Sequence, residues 1–493
     1  MLKHTLALSC LLLSVSAGWA KDTRTKATIQ PNGFPVEKSV QSVLDDQDYQ
    51  RALIAYRFWY PTVSLEGIFQ GARALGAKDN QSMFIVAAQP HHVGLTLNSD
   101  TPYGGANMDL SEGPIVVDVP AGNFVGLVDD HNQKWILDFG LPGPNKGKGG
   151  KHLILPPNYT GKIPDGYQVG RSATNKILVA IRSLPIDGDL KKAMAEMQRV
   201  KIHALNSPDK SVKMFDVTDR KMDISSLSWE DNMKYWTALH KVINEEPLNP
   251  EQIAMYGILE NLGIAKGKEF KPNARMKTIL ERAAKDGHAQ MIVTTFGDKR
   301  PERITWKDRK WEWASYVSDN GDFMTQSGID MIARDRWFAQ AIVASPAMFS
   351  RKPGAGSLYW LGLRDSKGQY LDGGKSYQLK VPYPVPGKLF WSVTAYDAKT
   401  RSQVQAPQNR AALRSLFELK DIPQDTKEVT LYFGPTAPAG KENFWIQTVP
   451  GRGWFTYFRI YGPTEPTFDG SWRPGDFEPT TFPKSPGKIG MNQ

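Results

Sequence analysis

The chain has 493 residues, 40% hydrophobic and 11% aromatic, with a formal net charge of +10 at pH 7. That length exceeds what a single core organises, and the apolar content excludes a disordered chain, so two globular domains are expected. The basic residues are interspersed with acids, which together with an export signal argues against a nucleic-acid partner, and the 34 Pro and 43 Gly favour a turn-rich, β-rich architecture.

Residues 1–20, MLKHTLALSCLLLSVSAGWA, carry one lysine, an apolar run from Leu6 to Val15 and then small residues. This predicts a secretory signal cleaved after Ala20, its apolar run too short for a transmembrane segment. The single cysteine, Cys10, falls inside it. The mature chain would then have no disulfide and no thiolate, which suits a bacterial periplasmic or secreted protein.

Residues 21–45 read as a polar arm. Leu53, Ile54, Phe58, Val63, Ile68 and Phe69 recur at helical spacing across Pro61, which predicts a helix, a kink and a second helix. From Phe84 to about Leu184 the pattern changes to short apolar runs such as PIVVDVP, NFVGLVDDH, KWILDFG and KILVAIRSLP, bounded by Gly, Pro, Asn and Asp. These predict strands, and with the leading helices they define an N-terminal β-sandwich over residues 46–210. Helical texture returns at 189–203, 228–245, 249–263 and 273–290, with Ser228 and Asp231, then Asn249 and Pro250, at helix starts. A helical connecting segment is expected over 211–335, with Trp229, Trp236 and Leu239 turned inward. Strands resume after Arg336 in SLYWLGL, SYQLKVP, KLFWSVTAYD, EVTLYFG and WFTYFRIYGP, giving a C-terminal β-sandwich over 336–478 and a tail over 479–493. The expected fold is mainly β with α: two jelly-roll-like antiparallel β-sandwich domains joined by helices.

In NSDTPYGG, turn chemistry accounts for the Asn, Asp and Gly but not for a carboxylate, a hydroxyl and a phenol gathered within four residues. Asp100 and Tyr103 are therefore candidate catalytic groups, and Asn98 and Thr101 candidate ligand contacts. The loop GLPGPNKGKGGKHLILPP, residues 140–157, lacks the Lys-Ser/Thr ending and following helix of a nucleotide P-loop. Its lysines are either a solvated connection or a mobile cationic flap of Lys146, Lys148 and Lys151, with Lys151 and Arg171 holding an anionic ligand. Asp129 and His131 stand two apart on a predicted strand. With His91 they would complete a two-histidine, one-carboxylate set for a divalent metal, the one cofactor considered, while Asp129 alone could serve as a base. Without that metal, Asp and His at a strand end are polar rim. Arg459, inside an aromatic strand, requires an acidic partner or an anionic ligand. No Gly-x-Ser-x-Gly elbow is present.

The runs AYRFWYP, NSDTPY, DLSEGPIVVDVP, GLPGPNKGKGGKHLILPP and RSATNKILVAIRSLP resemble the domain family of unknown function DUF1254. LDGGKSYQLKVP, FWSVTAYD, NFWIQTVPG and FRIYGP resemble DUF1214, its usual C-terminal companion. The resemblance implies an exported bacterial protein with two jelly-roll modules and implies no activity. Pro102 departs from the pattern, in which leucine is more usual before the tyrosine.

Three functional readings follow. The first is a periplasmic protein with a pocket for a small, anionic ligand in the N-terminal sandwich, with hydrolytic chemistry left open. The second is a non-enzymatic envelope-interaction protein that associates, as a homo-oligomer or otherwise, through its aromatic C-terminal surface. The third is a metal-dependent oxygenase.

Overall fold

The computed structural model describes residues 29–317, 320–354 and 356–482. The expected signal and its cleavage site lie outside the described residues.

Helix α1 (Glu37–Ala74) is one continuous element, so neither the arm to residue 45 nor the break at Pro61 holds. Proline removes one backbone donor from a helix interior. Here the flanking residues Tyr56, Trp59, Tyr60, Val63 and Leu65 are all buried, and the Pro61 carbonyl is taken by the Gln133 side chain at 2.8 Å. Packing on every side therefore outweighs one lost hydrogen bond.

The chain continues through β1 (Ser82–Val86), β2 (His92–Val93), β3 (Tyr103–Asp109), β4 (Ile115–Val119), β5 (Phe124–Asp130) and β6 (Trp135–Gly140). Then come β7 (Gly150–Leu155), β8 (Tyr167–Arg171), β9 (Lys176–Ser183), α2 (Leu190–Met197), β10 (Lys201–Ala204), β11 (Lys213–Asp216) and β12 (Met222–Asp223). They form a six-stranded sheet, β11-β1-β3-β9-β5-β6, facing a four-stranded sheet, β10-β4-β7-β8. Ile85, Met108, Val128 and Val179 of the first share one core with Val117, Ile154 and Ile202 of the second. Most pairs are antiparallel, but β1 runs parallel to β11 and β7 to β8.

Helices α3 (Met233–Glu245), α4 (Ile253–Asn261) and α5 (Ala274–Gly297) follow, then β13 (Glu312–Trp313), α6 (Met331–Phe338) and α7 (Pro346–Phe349). Asn232, rather than Ser228, caps α3, its side chain accepting from Lys234 N. Trp229, Trp236 and Leu239 are buried as expected, and the Trp236 indole donates to Leu280 O.

The last sandwich holds β14 (Ser357–Gly362), β15 (Ser376–Pro382), β16 (Trp391–Asp397), β17 (Ala412–Arg414), β18 (Glu428–Gly434), β19 (Trp445–Gln447), β20 (Trp454–Tyr461) and β21 (Phe477–Thr480). Its sheets are β13-β14-β20-β16-β17 and β19-β18-β15-β21. Strand β13 belongs to the segment expected to be helical, and β21 extends to Thr480, inside the expected tail. β20 is buried along both faces. Phe458 and Ile460 fill the C-terminal core, while Phe455 and Tyr457 pack against the helices. The fold is thus mainly β with helices, in two β-rich domains. No helix among the described residues is long and apolar enough to cross a membrane.

Candidate functional site

A cavity of about 930 Å³ lies between the two sandwiches rather than within the N-terminal one, with the 341–354 segment along its rim. One wall is the outer face of the six-stranded sheet. Its strand register aligns Tyr103, Arg182, Val125 and Gly140 in one row, and Gly105, Ala180, Leu127 and Asp138 in the next row on the same face. The other wall is the outer face of the C-terminal sheet, where Tyr457, Arg459 and Tyr461 alternate along β20 beside Ser357 and Tyr359 of β14.

The turn before β3 organises the polar corner. The Asn98 side-chain oxygen accepts from the backbone N–H groups of Asp100 (2.9 Å) and Thr101 (3.4 Å). That fixes the amide's orientation, so its nitrogen must face the Tyr103 hydroxyl, to which it donates at 2.6 Å. Asn98 N donates to the same oxygen at 3.2 Å. The Tyr103 hydroxyl thus receives two hydrogen bonds, and its own proton has no acceptor among the described residues. Thr101 accepts from Arg182 Nε at 2.7 Å, and Arg182 Nη2 donates to the Tyr461 hydroxyl at 2.8 Å. Tyr461 passes its proton towards Asp100 Oδ2 (3.3 Å), which also accepts from Ser392 at 2.7 Å. The half-buried Arg182 sits over the Tyr103 ring (5.1 Å) and the Tyr461 ring (5.6 Å), and its Nη1 has no protein acceptor among the described residues. Arginine carries its charge at any accessible pH, so the corner presents a cation and spare donors to the cavity.

Arg459 is 2% exposed and is closed in on the opposite wall. Its Nη2 donates to Thr96 O (3.1 Å) and its Nη1 to the Thr394 hydroxyl (3.2 Å), with the Tyr457, Tyr396 and Tyr359 rings 4.8, 5.5 and 5.7 Å away. No carboxylate pairs with it among the described residues. Asp138, at the far side of the sheet wall, is buried, and that burial pushes its carboxyl up to about 6 against the lowering effect of contacts with Ser345, the Trp135 side chain and the Ala347 backbone.

The DUF1254 family, described as a protein of unknown function, matches residues 82–204, and DUF1214, described in the same words, matches residues 356–465. This is a two-domain DUF1254/DUF1214 protein. The cavity of this DUF1254/DUF1214 chain is walled by both matched regions. No curated protein matches it. Among solved structures, the VPA0106 protein from Vibrio parahaemolyticus is 17% identical with a TM-score of 0.55, the alignment covering 88% of this chain and all of that one, which shows a shared fold. A putative uncharacterized protein from Burkholderia cenocepacia is 12% identical with a TM-score of 0.41, over 90% and 98% of the two chains.

The expected site residues of this DUF1254/DUF1214 protein separate into three groups. Asn98, Tyr103 and Arg459 line the cavity, with Asp100 and Thr101 directly behind them. Lys151 and Arg171 do not belong to it. Both are exposed on β7 and β8 of the four-stranded sheet, away from the cavity-facing sheet. Of the loop lysines, Lys146 lines the cavity, while Lys148 and Lys151 do not. The loop is also folded tightly rather than free. Gly147 N bonds Gly140 O, Gly122 N bonds Gly147 O, and a Cβ on Gly140 (φ +76°) would lie 2.2 Å from Phe124 O. Its glycines answer a backbone demand.

The metal set does not assemble. No group of three His, Cys, Asp or Glu side chains among the described residues could hold a metal ion. Asp129 is fully buried, accepts from Ala344 N at 2.9 Å, and is raised well above the usual carboxylate range by burial, so it is neither a ligand nor a cavity base. His131 lies between Glu246 (2.9 Å) and Glu66 (3.5 Å), and Lys241 bonds Glu66 at 2.9 Å. Burial alone would lower the His131 ring, but the two carboxylates prevail and raise it. His91 stacks on His92 with ring centres 4.0 Å apart. Arg182, Tyr461, Tyr359 and Asp138 were not singled out from the sequence. Arginine within KILVAIRSLP was the one available signal, a charge in an otherwise apolar strand.

Proposed function

We propose that the protein is an exported, periplasmic binding protein that takes up a small anionic molecule with an apolar body in the cavity between its sandwiches. The observation that carries this reading is the cation and the two spare donors that one corner presents to the cavity. Arg182 Nη1 and the Tyr103 hydroxyl have no protein acceptor among the described residues and belong to half-buried side chains that line the cavity, so a ligand acceptor placed there gains charge-assisted hydrogen bonds. A carboxylate supplies paired acceptors of the required charge. The aliphatic wall of Val125, Leu127, Leu178 and Ala180 suits a hydrocarbon body, and the volume lies in the range of small-molecule sites. Lys146 at the rim adds long-range attraction for anions. Calorimetric titration with straight-chain and aromatic carboxylates tests this. Saturable binding that weakens at least tenfold in Arg182→Gln is expected, and an absence of binding across the series in both proteins refutes it.

A further inference from the structure

Resting on the anionic-ligand reading, the geometry points to a two-ended ligand: we propose a carboxylate that carries, at the far end of an apolar spacer, a hydroxyl or ammonium group that bonds to Asp138. Arg182 and Asp138 are set in the same sheet face at opposite corners. Arg182 of β9 is level with Val125 of β5, and Asp138 of β6 is level with Leu127 and Ala180, one row along. Two strand spacings across and two residues along separate their Cα atoms by about 12 Å. Between them Val125, Leu127 and Ala180 offer nothing to bond, so the wall is polar at two corners and aliphatic in the middle.

Asp138 has no cation beside it and forms no ion pair among the described residues; only the neutral donors of Ser345, Trp135 and the Ala347 backbone approach its carboxylate. Yet it is set on the cavity wall rather than in the sandwich core. With its carboxyl at about 6 it is mainly ionised at pH 7.5, an acceptor held on a largely desolvated wall. A ligand donor there is rewarded, and a second ligand carboxylate is repelled. A site built to bond a hydroxyl discriminates strongly against the analogue that lacks it.

The test titrates wild-type protein at pH 7.5 with six-, eight- and ten-carbon n-alkanoates, their ω-hydroxy and ω-amino derivatives, and the matching dicarboxylates. At the best length the ω-hydroxy or ω-amino acid is expected to bind about tenfold or more tightly than the plain acid, with the dicarboxylate weakest. Asp138→Asn should shrink the preference and relieve the dicarboxylate penalty, while Arg182→Gln weakens every member. Plain acids that bind with Arg182 dependence but gain nothing from the ω-substituent at any length would overturn the two-ended ligand and leave the anion site standing. If no member binds, both readings fall. Should Asp138→Asn not fold, the wild-type series decides alone.

Discussion

The wall that the N-terminal sandwich gives to the cavity is aliphatic, with one arginine and one aspartate set into it, whereas the C-terminal wall is a field of tyrosines closed around an arginine. The two arginines are solved differently. Arg459 bonds Thr96 O and Thr394 through its two terminal nitrogens and packs among three rings, tying the 95–98 turn to the C-terminal sheet, while its Nε is buried without a hydrogen-bond partner among the described residues. Arg182 has one nitrogen on Thr101, one on Tyr461 and one uncommitted. An arginine closed in by its own fold is architecture even with one nitrogen unpaired, while a half-exposed one that keeps a donor open to a cavity is available to a ligand.

That contrast can be broken most directly by removing each charge. Arg459→Met is expected to destabilise the protein by about 3 kcal/mol or more, since two charged hydrogen bonds and three ring contacts vanish together. Thermal melting checks this, and an unchanged midpoint would put Arg459 in the ligand class. Arg182→Gln should lower the midpoint less than half as far and cost carboxylate binding at least tenfold. Equal melting losses for both variants would erase the distinction between the walls.

A smaller effect concerns the support behind the aliphatic wall, where the His131 ring lies 5.1 Å from that of Phe69, which packs with Leu127 and Leu178. The ring holds its proton more tightly folded than unfolded, so its contribution is complete below the unfolded value near 6.5 and is lost as pH rises through the folded value. Asp130, Asp138 and Asp335, each raised to about 6 by burial, have largely ionised by pH 7. The melting midpoint should therefore fall as pH rises above about 6.5, a fall to which the buried Asp129 carboxyl, also raised, adds, and that slope should flatten in His131→Gln. A slope identical in the variant would show that the histidine is neutral in the fold. The smallest effect belongs to the loop. Lys146→Gln should slow carboxylate association about two- to threefold at low salt and not at high salt, with Lys148→Gln and Lys151→Gln silent. Stopped-flow measurements at two ionic strengths separate these outcomes.

The sequence made the strands legible because alternation and turn residues act locally, and the NSDTPY cluster stood out because its polar groups are neighbours in the chain. Arg182 and Asp138 lay hidden because a cavity wall is assembled by strand order: β9 sits beside β5, and β6 beyond it, a pairing that no local pattern encodes. The same reason explains the Asp129 and His131 misreading. Their spacing fits a shared strand face, but β5 ends at Asp130, and His131 turns instead towards carboxylates from α1 and the end of α3. Pro61 misled in the opposite way, a local rule overridden by burial on all sides.

Helix α1 serves two masters. Its middle, through Tyr56, Trp59 and Tyr60, is buried with Tyr396, Phe455 and Tyr457 of the C-terminal sheet, and the turns after it, through Leu65, Ile68 and Phe69, with Leu127 and Leu178 of the N-terminal one. During synthesis this helix emerges before either sandwich, yet the surface that completes its packing arrives some four hundred residues later, near Phe455. The last step of α1's packing thus waits on a contact of very long sequence separation, of the kind that slows folding. Severed between the sandwiches, each half would keep its own core but leave one stretch of α1's packing surface uncovered.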